Sequence, residues 1–304
     1  MRTSRRSLLQ THNRTAYAFL LPWLIGFFCL TLGPMLGSLY LSLTKYNLLS
    51  SPHWIGFDNY KTIFSDDSTF THSLVLTFKY VLLSVPLRLI FALLVAMALN
   101  KGIRGLGLYR TVYYVPSLLG GSVAISIVWR QIFDSEGIVN KFLGWFGIAG
   151  PSWIAHPDYL LYPIVALSVW QFGSSMVIFL AGLKQIPADL YEASQVDGAG
   201  KIRQFFRITL PMLTPVLFFN LIMTIINSFQ AFTPAYVLGD GRGGPLDASM
   251  FYTLYLYLKG FAYFDMGYAS ALAWIMLIII AVLTGIVFAT SRYWVFYGDG
   301  KEGR

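Results

Sequence analysis

Six long blocks of this chain contain no aspartate or glutamate. They cover 16–43, 74–99, 108–132, 159–183, 208–237 and 266–291, and all fourteen acids fall between or beyond them. Each block is long enough to cross a bilayer as a helix, which takes about 20 apolar residues. Only 12% of the residues are charged, half the share of about a quarter found in soluble domains. The pattern predicts an all-α polytopic membrane protein with six transmembrane helices in one domain over 16–291 and short tails, 1–15 and 292–304, at either end. Arg5, Arg6 and Arg14 ahead of the first block imitate a signal peptide. The block is too long for an h-region and lacks a small-residue cleavage site, so it is expected to be a retained span.

The basic residues set the expected orientation, because loops rich in Lys and Arg stay on the cytoplasmic side. One set of segments holds Arg2, Arg5, Arg6, Arg14, Lys101, Arg104, Arg110, Lys184, Lys201, Arg203, Arg207, Arg292, Lys301 and Arg304. The alternate segments hold only Lys45, Lys61, Arg130, Lys141, Arg242 and Lys259. Both termini are therefore expected in the cytoplasm. The net charge of +8 is spread along the chain rather than gathered, so it reports topology and not a nucleic-acid partner.

The only cysteine, Cys29, excludes an internal disulfide and reads as a small packing residue. His12, His53, His72 and His156 have no metal-ligand spacing and read as solvated loop residues. No carboxylate lies in a span to relay protons, and no internal repeat is visible. Both features weigh against an ion-driven secondary carrier or channel, the alternative reading.

The segment 190–211, LYEASQVDGAGKIRQFFRITLP, breaks the apolar pattern. Pro187 suits a first helical turn, and Asp189 and Glu192 favour the positive end of the helix dipole. Gly198 and Gly200 stop the helix, and Pro211 and Pro215 mark the start of the next span. Ala193, Ser194 and Gly198 are small enough for another surface to approach the backbone.

The spacing Glu192-Ala193-Ser194, three residues, Gly198, nine residues, Ile208, one residue, Leu210-Pro211 resembles the EAA loop of permease subunits in binding-protein-dependent ABC importers. Ser194 stands where that pattern has a second alanine. FLAGLKQIPADLYEA at 179–193, YRTVYYVPSLLGGSVAISIVWRQIF at 109–133, VLGDGRGGP at 237–245 and FDMGYASALAW at 264–274 extend the likeness. It is strongest to the carbohydrate-uptake branch that includes maltose and glycerol-phosphate permeases. The resemblance implies the type I importer permease fold and a sugar or oligosaccharide cargo. It implies a second homologous permease subunit as heterodimer partner, two copies of a cytoplasmic ABC ATPase, and an extracytoplasmic solute-binding protein received by the loops near 54–70, 134–158 and 238–265. It also implies a bacterial inner-membrane location. The coupling residues it assigns are Glu192, Ala193, Ser194, Asp197 and Gly198.

This chain is not expected to be an enzyme or to hold a cofactor. The pattern GxxxxGK[ST] is absent: at Gly200-Lys201, Ile202 replaces the hydroxyl and Gln195 replaces the first glycine. ATP and Mg²⁺ would belong to the partner ATPase.

Asn220, Thr224 and Asn227 share one helical face, which must meet either a neighbouring helix or a wet cavity. Ser168, Trp170, Gln171, Ser174 and Ser175 form a second polar-aromatic group. The resemblance places cargo contacts near Ser168, Gln171, Asn227 and Ser228, where maltose-type relatives carry more asparagine. Lys79 and Arg88 interrupt the second block on opposite helical faces. Lys79 can snorkel to an interface, whereas the deeper Arg88 either bonds helix carbonyls or faces an acidic saccharide or sugar phosphate.

Overall fold

The computed structural model describes residues 19–101 and 105–296. The N-terminal tail with its arginines and His12, Arg104, and the final basic residues Lys301 and Arg304 lie outside the described residues. Among the described residues, four helices are long and apolar enough to cross a membrane, and two bent pairs bring the number to six if each pair is one span. The described residues divide into two compact parts, one of residues 19–66 and 259–276, the other of 67–101, 105–258 and 277–296.

In the first part, α1 (Phe19–Ser42) contains a π-helical stretch, Phe27–Leu32, closed by the Gly33 amide donating to the Phe28 carbonyl. Pro34 follows at once. A proline clashes with the carbonyl four residues back, and the wider turn relieves that contact. No residue in the apolar window of α1 is buried, and Cys29 is exposed. The expected packing role is thus corrected, because among the described residues nothing covers that face. Two short strands, unforeseen from the sequence, follow: β1 (Thr44–Lys45) pairs antiparallel with β2 (His53–Trp54), so His53 is a strand residue. Asn59 of α2 (Asp58–Ser65) is buried and donates to the carbonyls of Ser42 (2.9 Å) and Thr44 (3.0 Å), pinning the hairpin to the end of α1.

The second part is organised around α3 (Ser68–Leu99). Asp67 caps it, accepting from the Phe70 amide at 2.9 Å, and its other carboxylate oxygen accepts from the Tyr255 hydroxyl. The Thr77 hydroxyl donates to Ser73 O (2.7 Å) and accepts from the Tyr252 amide (2.9 Å). In lipid, water does not drive helices together, so association relies on close packing and hydrogen bonds. Ala92 and Ala96, both wholly buried, serve the first need, and Thr77 the second. His72 lies within α3 rather than in a loop and meets the Asp247 carbonyl at 3.1 Å.

The third expected span is not straight. It consists of α4 (Leu106–Leu119) and α5 (Val123–Ile132), bent by 99° at Gly120-Gly121-Ser122. Ser122 starts α5 by accepting from the Ile125 amide. Arg110 belongs to α4 rather than to the preceding loop, and its buried Nε has no partner among the described residues. After α6 (Ile138–Gly144), the fourth span is also bent, by 42°, between α7 (Leu161–Trp170) and α8 (Gly173–Leu183).

The helix α9 (Ala188–Val196) precedes a longer helical run. That run starts at α10 (Lys201–Gln204), passes through a π turn (Phe205–Thr209) and continues as α11 (Leu210–Phe229). The span therefore begins ten residues before Pro211. As in α1, the π turn sits just ahead of a proline. Pro215 has no N–H for the Pro211 carbonyl, and the Thr214 hydroxyl donates to it instead at 2.6 Å. The chain continues through α12 (Thr233–Leu238), a 3₁₀ turn (Pro245–Asp247) and α13 (Tyr252–Tyr257) to α14 (Met266–Trp294).

Candidate functional site

Both bent spans meet at their bends. The Ser117 hydroxyl donates to the Gln171 carbonyl (2.8 Å) and accepts from the Ser174 amide (3.0 Å). The Gln171 side-chain amide donates back to Gly120 O at 3.2 Å and to Leu167 O at 3.3 Å. Carbonyls freed by each bend thus find donors on the other, as buried backbone requires. Glycine is needed at the contact: a Cβ on Gly173 would run into the Tyr113 carbonyl and stand 2.8 Å from Tyr114 Cα.

Beside this junction lies a cavity of 560 Å³, entirely within the second part. It falls within the range of about 300–1,000 Å³ typical of small-molecule sites. Ser168, Gln171, Asn220, Thr224, Asn227, Ser228 and Arg88 all line it. The stripe on α11 therefore faces a cavity. Its members are not equivalent: Asn220, Thr224 and Ser228 are buried, whereas Asn227 is exposed. Asn220 donates to Val216 O at 3.1 Å, so its amide already has a local partner. Gln171 both lines the space and braces the bends.

Trp170 does not line the cavity. It packs on Trp129 with ring centroids 5.5 Å apart, and Trp129 Nε1 donates to Pro163 O at 2.9 Å. Sequence reasoning missed Tyr80, Ser117, Gln230 and Thr233 as lining residues. Tyr80 and Ser117 offered no periodic signal, but Gln230 continues the polar stripe three residues beyond Asn227. Lys79 is exposed on the opposite face of α3, beside a different cavity that Asp158 also lines.

The second candidate element is α9. Pro187 sits at its N-cap (φ −58°, ψ 133°), one position earlier than expected, and Asp189 lies in its first turn. At the other end Gly198 adopts φ +77°. The Ala199 amide donates to Ser194 O (2.8 Å) and the Gly198 amide to Gln195 O (3.0 Å), the paired bonds of a Schellman stop. Asp197 is the C-cap, and no residue of α9 is buried. Glu192 and Ala193 are exposed, while Ser194 is half-buried.

Ser194 is more than a small stand-in for alanine. Its hydroxyl donates to Tyr191 O (2.8 Å) and accepts from Gln204 Nε2 (2.9 Å). Tyr191 Oη meets Thr209 Oγ1 at 2.9 Å. Two polar links thus tie α9 to the start of the next span. Nearby, Ile202 and Phe206 are exposed among Lys201, Arg203 and Arg207 on one open depression.

Residues 66–295 match the family of binding-protein-dependent transport system inner membrane components. The chain belongs to that family. The permease is 51% identical to the probable ABC transporter permease protein YesP of Bacillus subtilis, over 97% of this chain and 96% of that one. It is 31% identical to the probable starch degradation products transport system permease protein AmyD of Thermoanaerobacterium thermosulfurigenes, over 91% and 94%. Among solved structures, a chain of a bacterial alginate ABC transporter in complex with alginate pentasaccharide-bound periplasmic protein superposes with a TM-score of 0.80. That match has 22% identity and covers 93% of the permease and 95% of that chain. This last likeness establishes the shared fold.

Proposed function

We propose that the permease conducts a sugar or oligosaccharide through the cavity beside the two bends, in an importer driven by a separate ATPase. The observation that carries this reading is the convergence of hydroxyls and amides from α7, α8 and α11 on one space of small-molecule size. Such groups exchange hydrogen bonds with a polyhydroxylated solute and with water alike. The starch-product relative AmyD supports the same cargo class.

Glu192, Ala193, Ser194, Asp197 and Gly198 would form the joint with the ATPase. Their support is an exposed, sharply terminated helix tied through Ser194 and Tyr191 to the span that carries the cavity's asparagines. In this reading both termini and α9 are cytoplasmic. A second, unlike permease subunit completes the pathway, two ATPase copies bind ATP and Mg²⁺, and an extracytoplasmic binding protein delivers the cargo in a bacterial inner membrane. Reconstituting these subunits in liposomes tests the reading. Saccharide uptake must require ATP and stop with vanadate, and uptake by the permease alone on an ion gradient would overturn it.

A further inference from the structure

Arg88 is the only charged residue among the described residues lining the cavity. Its Nε is buried without a hydrogen-bond partner among the described residues. Lys61–Asp58, Arg130–Asp240 and His156–Asp158 form ion pairs elsewhere, and none of these engages it. Arg110 shares the orphaned Nε but does not line the cavity. A guanidinium within a membrane span is costly to keep; Arg88 is half-buried, and no carboxylate among the residues lining the cavity offsets its partial desolvation. Around it the cavity offers only neutral polar groups, among them Tyr80, Ser168, Thr224 and Asn227.

We infer that the cargo is an acidic saccharide bearing one carboxylate, a uronate, which seats on Arg88 while its hydroxyls meet the neutral groups. The inference rests on the saccharide reading above and adds the charge. Guanidinium and carboxylate match as two parallel hydrogen bonds, and one charge neutralises one. A sugar phosphate carries about −1.5 to −2 at neutral pH and would leave the cavity net negative.

The test uses the complete importer in proteoliposomes and two probes, a disaccharide of one uronate and one neutral sugar, and its methyl ester. Wild type is expected to take up the acid in preference to the ester. Arg88→Gln should lose about ten- to a hundredfold of acid uptake, the effect of removing a charge-assisted hydrogen bond, and several-fold less of ester uptake, so that the preference for the acid collapses. Arg88→Lys, which keeps the charge but not the fork, should fall between and stands in if the glutamine variant does not assemble. Equal loss for both probes would overturn the inference, because recognition of the carboxylate predicts a loss for the acid that the ester does not share. Undiminished acid uptake in both variants, or wild-type preference for the ester, would also overturn it. If neither these probes nor neutral oligosaccharides enter with wild type, the saccharide reading itself fails.

Discussion

The side-chain amide of Gln204 donates to the hydroxyl of Ser194 at 2.9 Å, joining the exposed helix α9 to the first turn of the span that follows. Gln204 is buried, so removing this acceptor leaves its side-chain amide only the longer bond to Tyr191 O at 3.4 Å. Ser194→Ala is expected to cost about 1–3 kcal/mol at this joint. Uptake should fall while the permease still assembles. A double-mutant cycle with Gln204→Leu checks it: the paired variant should be less impaired than the two single losses combined, since both partners are then gone.

Gly198 holds φ +77°, a region costing roughly 1–2 kcal/mol for a residue with a Cβ. Gly198→Ala should unravel the stop of α9. The expected result is weaker ATPase binding in a pull-down with unchanged yield of the membrane subunit, because the turn lies on an exposed surface.

Gly173→Ala has the opposite profile. The added methyl meets the backbone of Tyr113 and Tyr114, which cannot swing aside as a side chain can. Overpacking of this kind costs about 1–3 kcal/mol, so thermal unfolding in detergent should shift down by several degrees.

Asn227 and Gln171 line the same cavity but should separate in experiment. Asn227 is exposed to it, so Asn227→Ala should reduce uptake about three- to tenfold, the worth of one hydrogen bond, at constant melting temperature. Gln171→Ala removes the bond to Gly120 O and should lower both uptake and melting temperature.

Arg130, in the last turn of α5, pairs with Asp240 through both carboxylate oxygens. The two side chains are 41% and 68% exposed, so screening limits the pair to about 0–1 kcal/mol. Asp240→Asn should move the melting temperature little, and less still at high salt.

Much of the site could be read in advance because its signals were local. Pro187 and Gly198 delimit α9 by chain stereochemistry, whereas Gly200, also expected to stop it, is the N-cap of α10; the spacing of Asn220, Thr224 and Asn227 declares a face on any helix. The bends were hidden for the converse reason. Apolar residues continue through Gly120-Gly121, so hydropathy cannot tell a straight span from one turned by 99°. What stabilises the turn is Gln171, fifty-one positions away in sequence. The hydroxyl of Ser194 was likewise invisible as a link, since its partner Gln204 lies beyond the glycine that ends the helix. Arg88 was conspicuous by its charge, but its surroundings were not.

Helical geometry from Lys201 through the π turn to Asn227 spans about 40 Å at 1.5 Å per residue. A stiff rod of that reach pivoting at the joint with α9 by about 10° would sweep Asn227 sideways by about 7 Å. Small rotations imposed at the α9 end would thus be amplified at the cavity, widening or pinching it without any helix unwinding.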